Sequence, residues 1–177
     1  MRRLCGVVVV ALVTSACAAD EEQRIEPVGD VVQQPTAVAL EAPDTTAEAL
    51  WAHLQDADYR SWPMFPGTGE LYSGTEPHGM LLTTYVNRIA SDALTNGASA
   101  LPAGAIIVKE NYMPDSTFAA ATVMHKVPGY DAGNGDWYWA KYDPNGVVED
   151  AGRAPMCQQC HAAQRQRDFV MTPLPGN

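Results

Sequence analysis

Residues 105–126, AIIVKENYMPDSTFAAATVMHK, predict two β-strands joined by a tight turn. The run Ala105–Glu110 is rich in apolar and β-branched residues, and Thr117–Lys126 has the same character, which is typical of strands. Between them, Pro114–Ser116 has the composition of a turn. A connection this short joins antiparallel neighbours. The stretch therefore predicts a β-hairpin.

Similar patterns on both sides extend this hairpin into a meander. Further strands are predicted at Met80–Val86, Asp136–Tyr142 and Val147–Val148. Helices are predicted after a capping box at Thr45–Glu48, from Asn87 to Leu94, and from Pro155 to Asp168. Strands joined by short turns and flanked by helices predict an α+β fold with an antiparallel sheet.

The first 17 residues predict an export signal. Arg2 and Arg3 form a positive start, and the apolar run Leu4–Val13 is too short to span a bilayer. Two processing routes stay open. One is cleavage within Ala16–Ala18, and the other is lipidation of Cys17, which would anchor the chain to a membrane.

The remaining sequence divides into a tether and one domain. Residues 18–43 are acidic, contain proline and lack periodicity, which favours a flexible tether. Residues 44–177 are expected to form the folded domain. The net charge of −10 argues against nucleic acid or anionic lipid as a partner. It is compatible with a cationic redox partner or with a small neutral or cationic substrate.

The motif Cys157-Gln158-Gln159-Cys160-His161 lies in the last predicted helix. A C-x-x-C-H sequence is typical of covalent haem c attachment. Positions i, i+3 and i+4 share one helix face, so Cys157 and Cys160 can bond to the haem vinyl groups while His161 reaches the iron. A disulfide and a zinc site are the alternatives, but a zinc site needs four ligands and the predicted domain has no second cysteine pair. One covalent haem c, attached outside the cytoplasmic membrane, is therefore predicted.

Several other motifs accompany C-x-x-C-H in a fixed order. They are Glu76-Pro77-His78-Gly79, Val108-Lys109-Glu110, Thr122-Val123-Met124, Lys126-x-x-Gly129-Tyr130-Asp131, Gly135-Asp136-Trp137 and, after the haem motif, Asp168-Phe169-Val170. Together they resemble the cytochrome P460 and cytochrome c′-β group over roughly Trp51 to Thr172. The late position of the haem motif, behind a sheet, also differs from the common helical cytochromes c.

The resemblance implies a periplasmic homodimer with a histidine-ligated iron that is open on its distal face. The P460 type oxidises hydroxylamine, passes electrons to an external acceptor and carries a covalent lysine–haem link. The c′-β type lacks the link and binds nitric oxide without turnover. Lys109 occupies the position of the cross-linking lysine. A simple electron-transfer cytochrome with a sixth ligand is a third candidate, which the fold disfavours.

Other residues are weaker candidates for the distal side of the iron. His78 is interpreted as a turn residue, with a sixth ligand or a distal acid/base group as the alternative. His125 has the same alternatives, but its strand phase is interpreted as facing solvent. Met124 is a core residue or an axial thioether, and Phe118 a cap over an open distal site.

Lys109 shares a predicted strand face with Ala105 and Ile107, so its burial would need a reason such as a haem edge. The alternative is a solvent-facing lysine at the end of the strand. No distal base is assigned, because Glu110 and Asp136 are interpreted as solvated carboxylates.

Overall fold

The computed structural model describes residues 45–171. The predicted export signal, Cys17 and the predicted tether lie outside these residues. Within residues 45–171, no helix combines the length and the apolar character needed to cross a membrane.

Six antiparallel strands form one sheet in which each strand pairs with its neighbour along the chain. The strands are β1 Tyr72–Ser73, β2 Leu81–Val86, β3 Ile106–Tyr112, β4 Phe118–Lys126, β5 Trp137–Tyr142 and β6 Val148–Gly152. The predicted meander is confirmed. The sequence did not predict β1, and β6 extends beyond the predicted Val147–Val148 as far as Gly152, with a bulge in its pairing with β5.

Three α-helices flank the sheet: α1 Ala47–Asp56, α2 Arg88–Thr95 and α3 Pro155–His161. Short 3₁₀ helices cover Tyr59–Ser61, Ala132–Asn134 and Ala162–Arg167. The predicted α+β architecture is therefore confirmed. The last helix differs from the prediction, since its α-helical part ends at His161 and a 3₁₀ segment continues from there.

The caps of α1 and α2 come from side chains. The hydroxyl of Thr46 accepts the N–H of Ala49 at 3.2 Å, so the cap lies one residue later than the predicted Thr45 box. Asn87 caps α2 as predicted, because its side-chain oxygen accepts the N–H of Ala90 at 3.0 Å. Each cap satisfies one of the N–H groups that a helix leaves unpaired at its start.

Both faces of the sheet are covered, and each carries its own core. On the α1 face, helix α1 packs on apolar side chains of the central strands; this core includes Leu50, Leu54, Tyr59, Ile106, Val108, Val123, Tyr138 and Tyr142. On the α3 face, α2 and the C-terminal segment pack on the alternate side chains; this core includes Val86, Leu94, Ile107, Met124, Trp137, Trp139, Phe169 and Val170. Strand alternation along β3 distributes its residues between the two cores.

A bulge in β4 reverses the direction of Phe118. Asn111 pairs with Ala120, but the next residue of β3, Tyr112, pairs with Phe118, so Ala119 is extra. One extra residue moves a side chain to the other face of a sheet. Phe118 therefore packs on the α1 face, 5.7 Å from the ring of Tyr112. The prediction that Phe118 caps an open distal site was wrong.

Candidate functional site

Helix α3 lies on the α3 face and presents the C-x-x-C-H motif. Pro155 occupies its first turn, where a missing N–H costs nothing. The side chain of Gln158 donates a hydrogen bond to Asp131 Oδ2 at 2.7 Å, which ties the helix to the loop before β5. Cys157 is half-buried and Cys160 is exposed, and both are free thiols. The motif thus has two unpaired thiols on a helix that is held in place by its neighbours.

His161 is buried with one ring nitrogen already occupied. Its Nδ1 lies 2.7 Å from the carbonyl oxygen of Phe169, and because a carbonyl only accepts, Nδ1 carries the proton. The lone pair is then on Nε2, as in a histidine that binds a metal while its other nitrogen donates to a carbonyl. Burial lowers the pKa of His161, which keeps the ring neutral at pH 7.

A chain reversal after the 3₁₀ segment brings the carbonyl of Phe169 back to His161. Asp168 and Phe169 both have positive φ, 53° and 64°. Asp168 fixes the reversal because its carboxylate accepts hydrogen bonds from Lys126 Nζ at 2.5 Å and from the N–H of Leu101 at 2.8 Å. Its carbonyl also accepts from Trp137 Nε1 at 2.8 Å. Asp168 is therefore a positioning residue for His161.

A pocket lies between the α3 face of the sheet and the C-terminal segment. Its empty volume, including the open mouth, is about 380 Å³. Its lining residues are His78, Ile107, Lys109, Thr122, Val123, Met124, Trp139, His161, Val170 and Met171. The structure thus brings His78, Lys109, Met124 and His161 together, four residues that the sequence singled out separately.

Lys109 extends into this pocket from β3. Burial lowers the pKa of its amine. Among residues 45–171, the acidic side chains that form ion pairs pair with other cations and not with Lys109. Its positive charge also helps to lower the pKa values of His78 and His161, so the three basic groups are neighbours.

His78 lies across the pocket from His161, with ring centroids 6.1 Å apart and planes at 88°. Its Nδ1 is 3.2 Å from Asn111 Oδ1 and 3.3 Å from Thr122 Oγ1. Burial, followed by the charge of Lys109, lowers the pKa of His78 to about 4. His78 therefore stays neutral at pH 7.

His125 and Glu110 lie on the opposite side of the sheet. His125 is 2% exposed, and the interpretation that it faces solvent was wrong, because helix α1 covers that face. Glu110 is fully buried, and it accepts hydrogen bonds from Tyr59 and Arg60, both at 2.7 Å, and from Tyr112 at 2.5 Å. The interpretation of Glu110 as solvated was also wrong, since α1-face partners surround it.

Asp136 is likewise outside the pocket. Its carboxylate accepts the N–H of Asp131 at 3.0 Å and closes the loop before β5. No carboxylate belongs to the pocket lining found within residues 45–171.

The pocket residues fit a haem bound to α3. His161 has a free Nε2, and the two thiols are unpaired. The indole N–H of Trp139, a wall residue whose ring is 4.6 Å from His161, is buried without a protein partner, as expected where a polar group of a cofactor would come close. Residues 45–171 contain no cluster of three or more His, Cys, Asp or Glu side chains suited to a metal ion.

The family model for cytochrome P460 matches residues 56–172. This match covers more than half of the chain and includes the sheet, α2 and the haem motif. The chain belongs to the cytochrome P460 family. A search of curated proteins finds no match. Family membership supports haem c as the cofactor of the pocket, with Cys157, Cys160 and His161 as the residues that would hold it.

Sequence reasoning missed three residues that support the pocket of this cytochrome P460 family protein. They are Asn111 and Thr122, which hold His78, and Asp168, which positions His161. Asn111 had a detectable signal, because it lies two residues after Lys109 and so shares its strand face. Asp168 stands in one of the motifs that accompany the haem motif, but its contact with His161 through Phe169 could not be predicted, since its partners Leu101 and Lys126 are distant in the chain.

Proposed function

We propose that this protein is an exported c-type haem protein that oxidises hydroxylamine or a related small nitrogen compound. The electrons would pass to an external acceptor, for which the acidic chain favours a cationic partner. The observation that carries the proposal is the convergence of His161 and Lys109 in one pocket of a cytochrome P460 family fold.

The residues of the pocket have separate roles in this proposal. Haem c, when bound, supplies the iron that takes up the nitrogen compound and carries its electrons away. Cys157 and Cys160 hold the cofactor, and the Phe169 carbonyl keeps His161 Nε2 free to bind the iron. Lys109 is the candidate for a covalent bond to the macrocycle, which would tune its electronic properties.

Removing electrons from hydroxylamine also releases protons, so the pocket needs a proton acceptor. The titratable groups that face it are His78, Lys109 and His161. The lowered pKa of Lys109 increases the fraction of neutral amine that can accept a proton. If Lys109 is bonded to the macrocycle and His161 to the iron, His78 remains as the proton acceptor.

The composition of the wall favours a second candidate function, which is binding or scavenging of nitric oxide without turnover. Six of the ten lining residues are apolar, and an apolar wall suits a small uncharged gas. They are Ile107, Val123, Met124, Trp139, Val170 and Met171. The lack of a carboxylate in the described lining removes the usual acceptor for released protons. A simple electron-transfer role is the third candidate.

Turnover and mass analysis of the purified holoprotein separate these functions. The proposal expects covalent haem, a strongly red-shifted ferrous Soret band, and oxidation of hydroxylamine with an artificial electron acceptor. Lys109→Met should lose the band shift and most of the turnover. Arg88→Met, which removes an exposed cation that is paired with Asp92, should retain both. Tight binding of nitric oxide without turnover of hydroxylamine would favour nitric oxide binding over hydroxylamine oxidation as the function.

We also propose that the protein is periplasmic and homodimeric. Fractionation and intact mass of the mature chain test the first point, including a lipid on Cys17. Analytical ultracentrifugation tests the second. A cytoplasmic, haem-free monomer would contradict both.

A further inference from the structure

Two histidines face the same pocket, and hydrogen bonding fixes which nitrogen of each is free. For His161 the Phe169 carbonyl accepts from Nδ1, so Nε2 has the lone pair. For His78 the answer depends on the orientation of the Asn111 amide, because an amide oxygen accepts and an amide nitrogen donates.

The neighbours of Asn111 determine that orientation. Its Nδ2 lies 3.0 Å from the carbonyl oxygen of Lys109 and 3.1 Å from that of Ala120. Both neighbours only accept, so this atom is the donating nitrogen, and the other amide atom, which faces His78, is the oxygen. His78 Nδ1 must then carry the proton, and Nε2 keeps the lone pair.

The separation of the two rings matches two imidazoles on one metal ion. Imidazole nitrogens bind first-row metals at about 2 Å, which places the centroids of two rings on opposite sides of one iron about 6 Å apart. The observed centroid distance is 6.1 Å, and the planes are perpendicular.

The turn that carries His78 holds it at this position. Gly79 has φ +100°, and a Cβ there would be 3.0 Å from the carbonyl oxygen of Tyr112. A Cβ at Gly74 would overlap the carbonyl oxygen of Gly79. The N–H of Gly74 donates to Met80 at 2.8 Å across the same turn. The β1–β2 turn is therefore packed closely against the end of β3, with His78 directed into the pocket.

The two histidines differ in how strongly Nδ1 is hydrogen-bonded. His161 donates to a carbonyl at 2.7 Å, whereas His78 has two longer contacts of 3.2 and 3.3 Å. A strong hydrogen bond at Nδ1 raises the basicity of the ligating nitrogen. His161 is also one residue from a cysteine that would be bonded to the haem. His161 is thus the stronger ligand, and His78 is the one that can be displaced.

We propose that His78 binds the iron as an exchangeable sixth ligand in the resting protein, and that a small nitrogen ligand enters the site by displacing it. The proposal rests on haem c occupying the pocket, as the proposed function requires. It replaces the open distal face that the family resemblance implies by a face that is closed at rest.

Optical and electron paramagnetic resonance spectra of the ferric holoprotein test this proposal. The wild type should be low-spin and six-coordinate. His78→Ala should be high-spin, and added imidazole should restore the low-spin spectrum. His125→Gln changes a buried histidine on the opposite sheet face and should leave the spectrum unchanged. Met124→Leu removes the pocket thioether and should stay low-spin like the wild type. A high-spin wild type, or a low-spin His78→Ala protein, would overturn the proposal.

Ligand-binding kinetics of the wild type give a second test, which does not depend on the variant folding. If His78 must leave first, the observed rate of nitric oxide or cyanide binding levels off as the ligand concentration rises. In His78→Ala the apparent affinity should increase by about tenfold or more, because affinity is reduced by the fraction of open sites. A rate that stays proportional to ligand concentration would contradict the proposal.

The outcomes separate this proposal from the proposed function. A low-spin wild type that does not oxidise hydroxylamine supports His78 ligation and removes the enzymatic role. A high-spin wild type that oxidises hydroxylamine supports the enzymatic role and removes His78 ligation.

Discussion

At the scale of single residues, His125 shows the cost of a buried imidazole without partners. Both of its ring nitrogens are buried and make no hydrogen bond, and burial, followed by the charge of His53, lowers its pKa to about 4. A buried polar group that is left unpaired costs roughly 1–3 kcal/mol. His125 is therefore a weak point of the α1 face, especially in acid.

The first prediction concerns acid stability. His125 binds a proton in the unfolded chain below about pH 6.5 but in the folded chain only near pH 4. The unfolded state therefore binds more protons in this range, and stability falls as the pH drops from 6.5 to 4. His125→Leu should flatten this loss by roughly 1–3 kcal/mol without lowering stability at pH 7. The measurement is urea unfolding of the holoprotein between pH 4 and 8.

His78 has a similarly lowered pKa, so some pH dependence should persist in His125→Leu. A variant whose stability still falls with pH as steeply as that of the wild type would show that His125 does not titrate in this way.

The same residue shows how far sequence reasoning reaches. Strand alternation correctly separated His125 from Met124, because side chains alternate along any strand. It could not reveal burial, because the helix that covers His125 lies some seventy residues earlier in the chain. Lys109 was more tractable, because Ile106–Val108 before it is apolar on both strand faces.

At the scale of secondary structure, the segment after α3 is what aligns His161. This alignment depends on an ion pair between Lys126 of β4 and Asp168, and both side chains are largely buried. Removing one partner of a buried ion pair costs about 3–5 kcal/mol, because the other charge is left unpaired.

The second prediction tests this segment. Asp168→Asn should destabilise the protein by several times more than Glu149→Gln, which breaks a half-exposed pair with Lys141 worth about 0–1 kcal/mol. It should also weaken the hydrogen bond from His161 to Phe169 and raise the reduction potential, because a less basic ligand stabilises the oxidised iron less. Thermal unfolding and a redox titration measure the two effects. Equal losses of stability in the two variants would mean that the buried Asp168 pair stabilises the protein no more than the half-exposed Glu149 pair does.

Strands and helices were predictable because short turns and cap residues mark their ends locally. The bulge in β4 was not. Ala119–Ala121 has no polar residue, so this run contains no alternation from which a change of phase could be detected. The position of Phe118 therefore followed from the pairing with β3, which is a property of two strands together.

At the scale of the whole molecule, the sheet separates the core of the α1 face from the α3 face, which carries a second core and the pocket. Trp51 of α1 packs beside Tyr142 on the α1 face, with ring centroids 4.7 Å apart. Gly146 in the β5–β6 turn lies against the Trp51 indole so closely that a Cβ would overlap it. The packing of α1 thus depends on this turn, on the side of the sheet away from the haem motif.

The third prediction uses two glycines with the same backbone angle. Gly146 and Gly67 both have φ +83°, but a Cβ at Gly67 meets nothing within 4 Å. Gly67→Ala should cost about 1 kcal/mol from backbone strain, and Gly146→Ala clearly more, because Trp51 must move. The measurement is the free energy of unfolding in urea.

Neither glycine variant should change the haem spectrum, since both sites lie outside the pocket. Similar losses of stability in the two variants would mean that the packing of Trp51 on the turn contributes little. An altered spectrum in Gly146→Ala would show that the two faces are coupled.

The fold class followed from the sequence because short turns allow only antiparallel neighbours. That both faces of the sheet are covered did not follow from it, since an antiparallel sheet can equally leave one face in water. This second covering layer explains why Glu110 and His125 were wrongly expected in solvent.

The alternation of β3 has a consequence for how this protein can vary. Ile106, Val108 and Glu110 belong to the scaffold, whereas Ile107, Lys109 and Asn111 border the reactive site. Substitutions of Ile106, Val108 and Glu110 should therefore unfold the protein, whereas substitutions of Lys109 and Asn111 should alter the spectra of folded protein. Ile107 belongs to both the α3-face core and the pocket, so its substitutions should do both. New chemistry can arise by changing every second residue of one strand while the others preserve the fold.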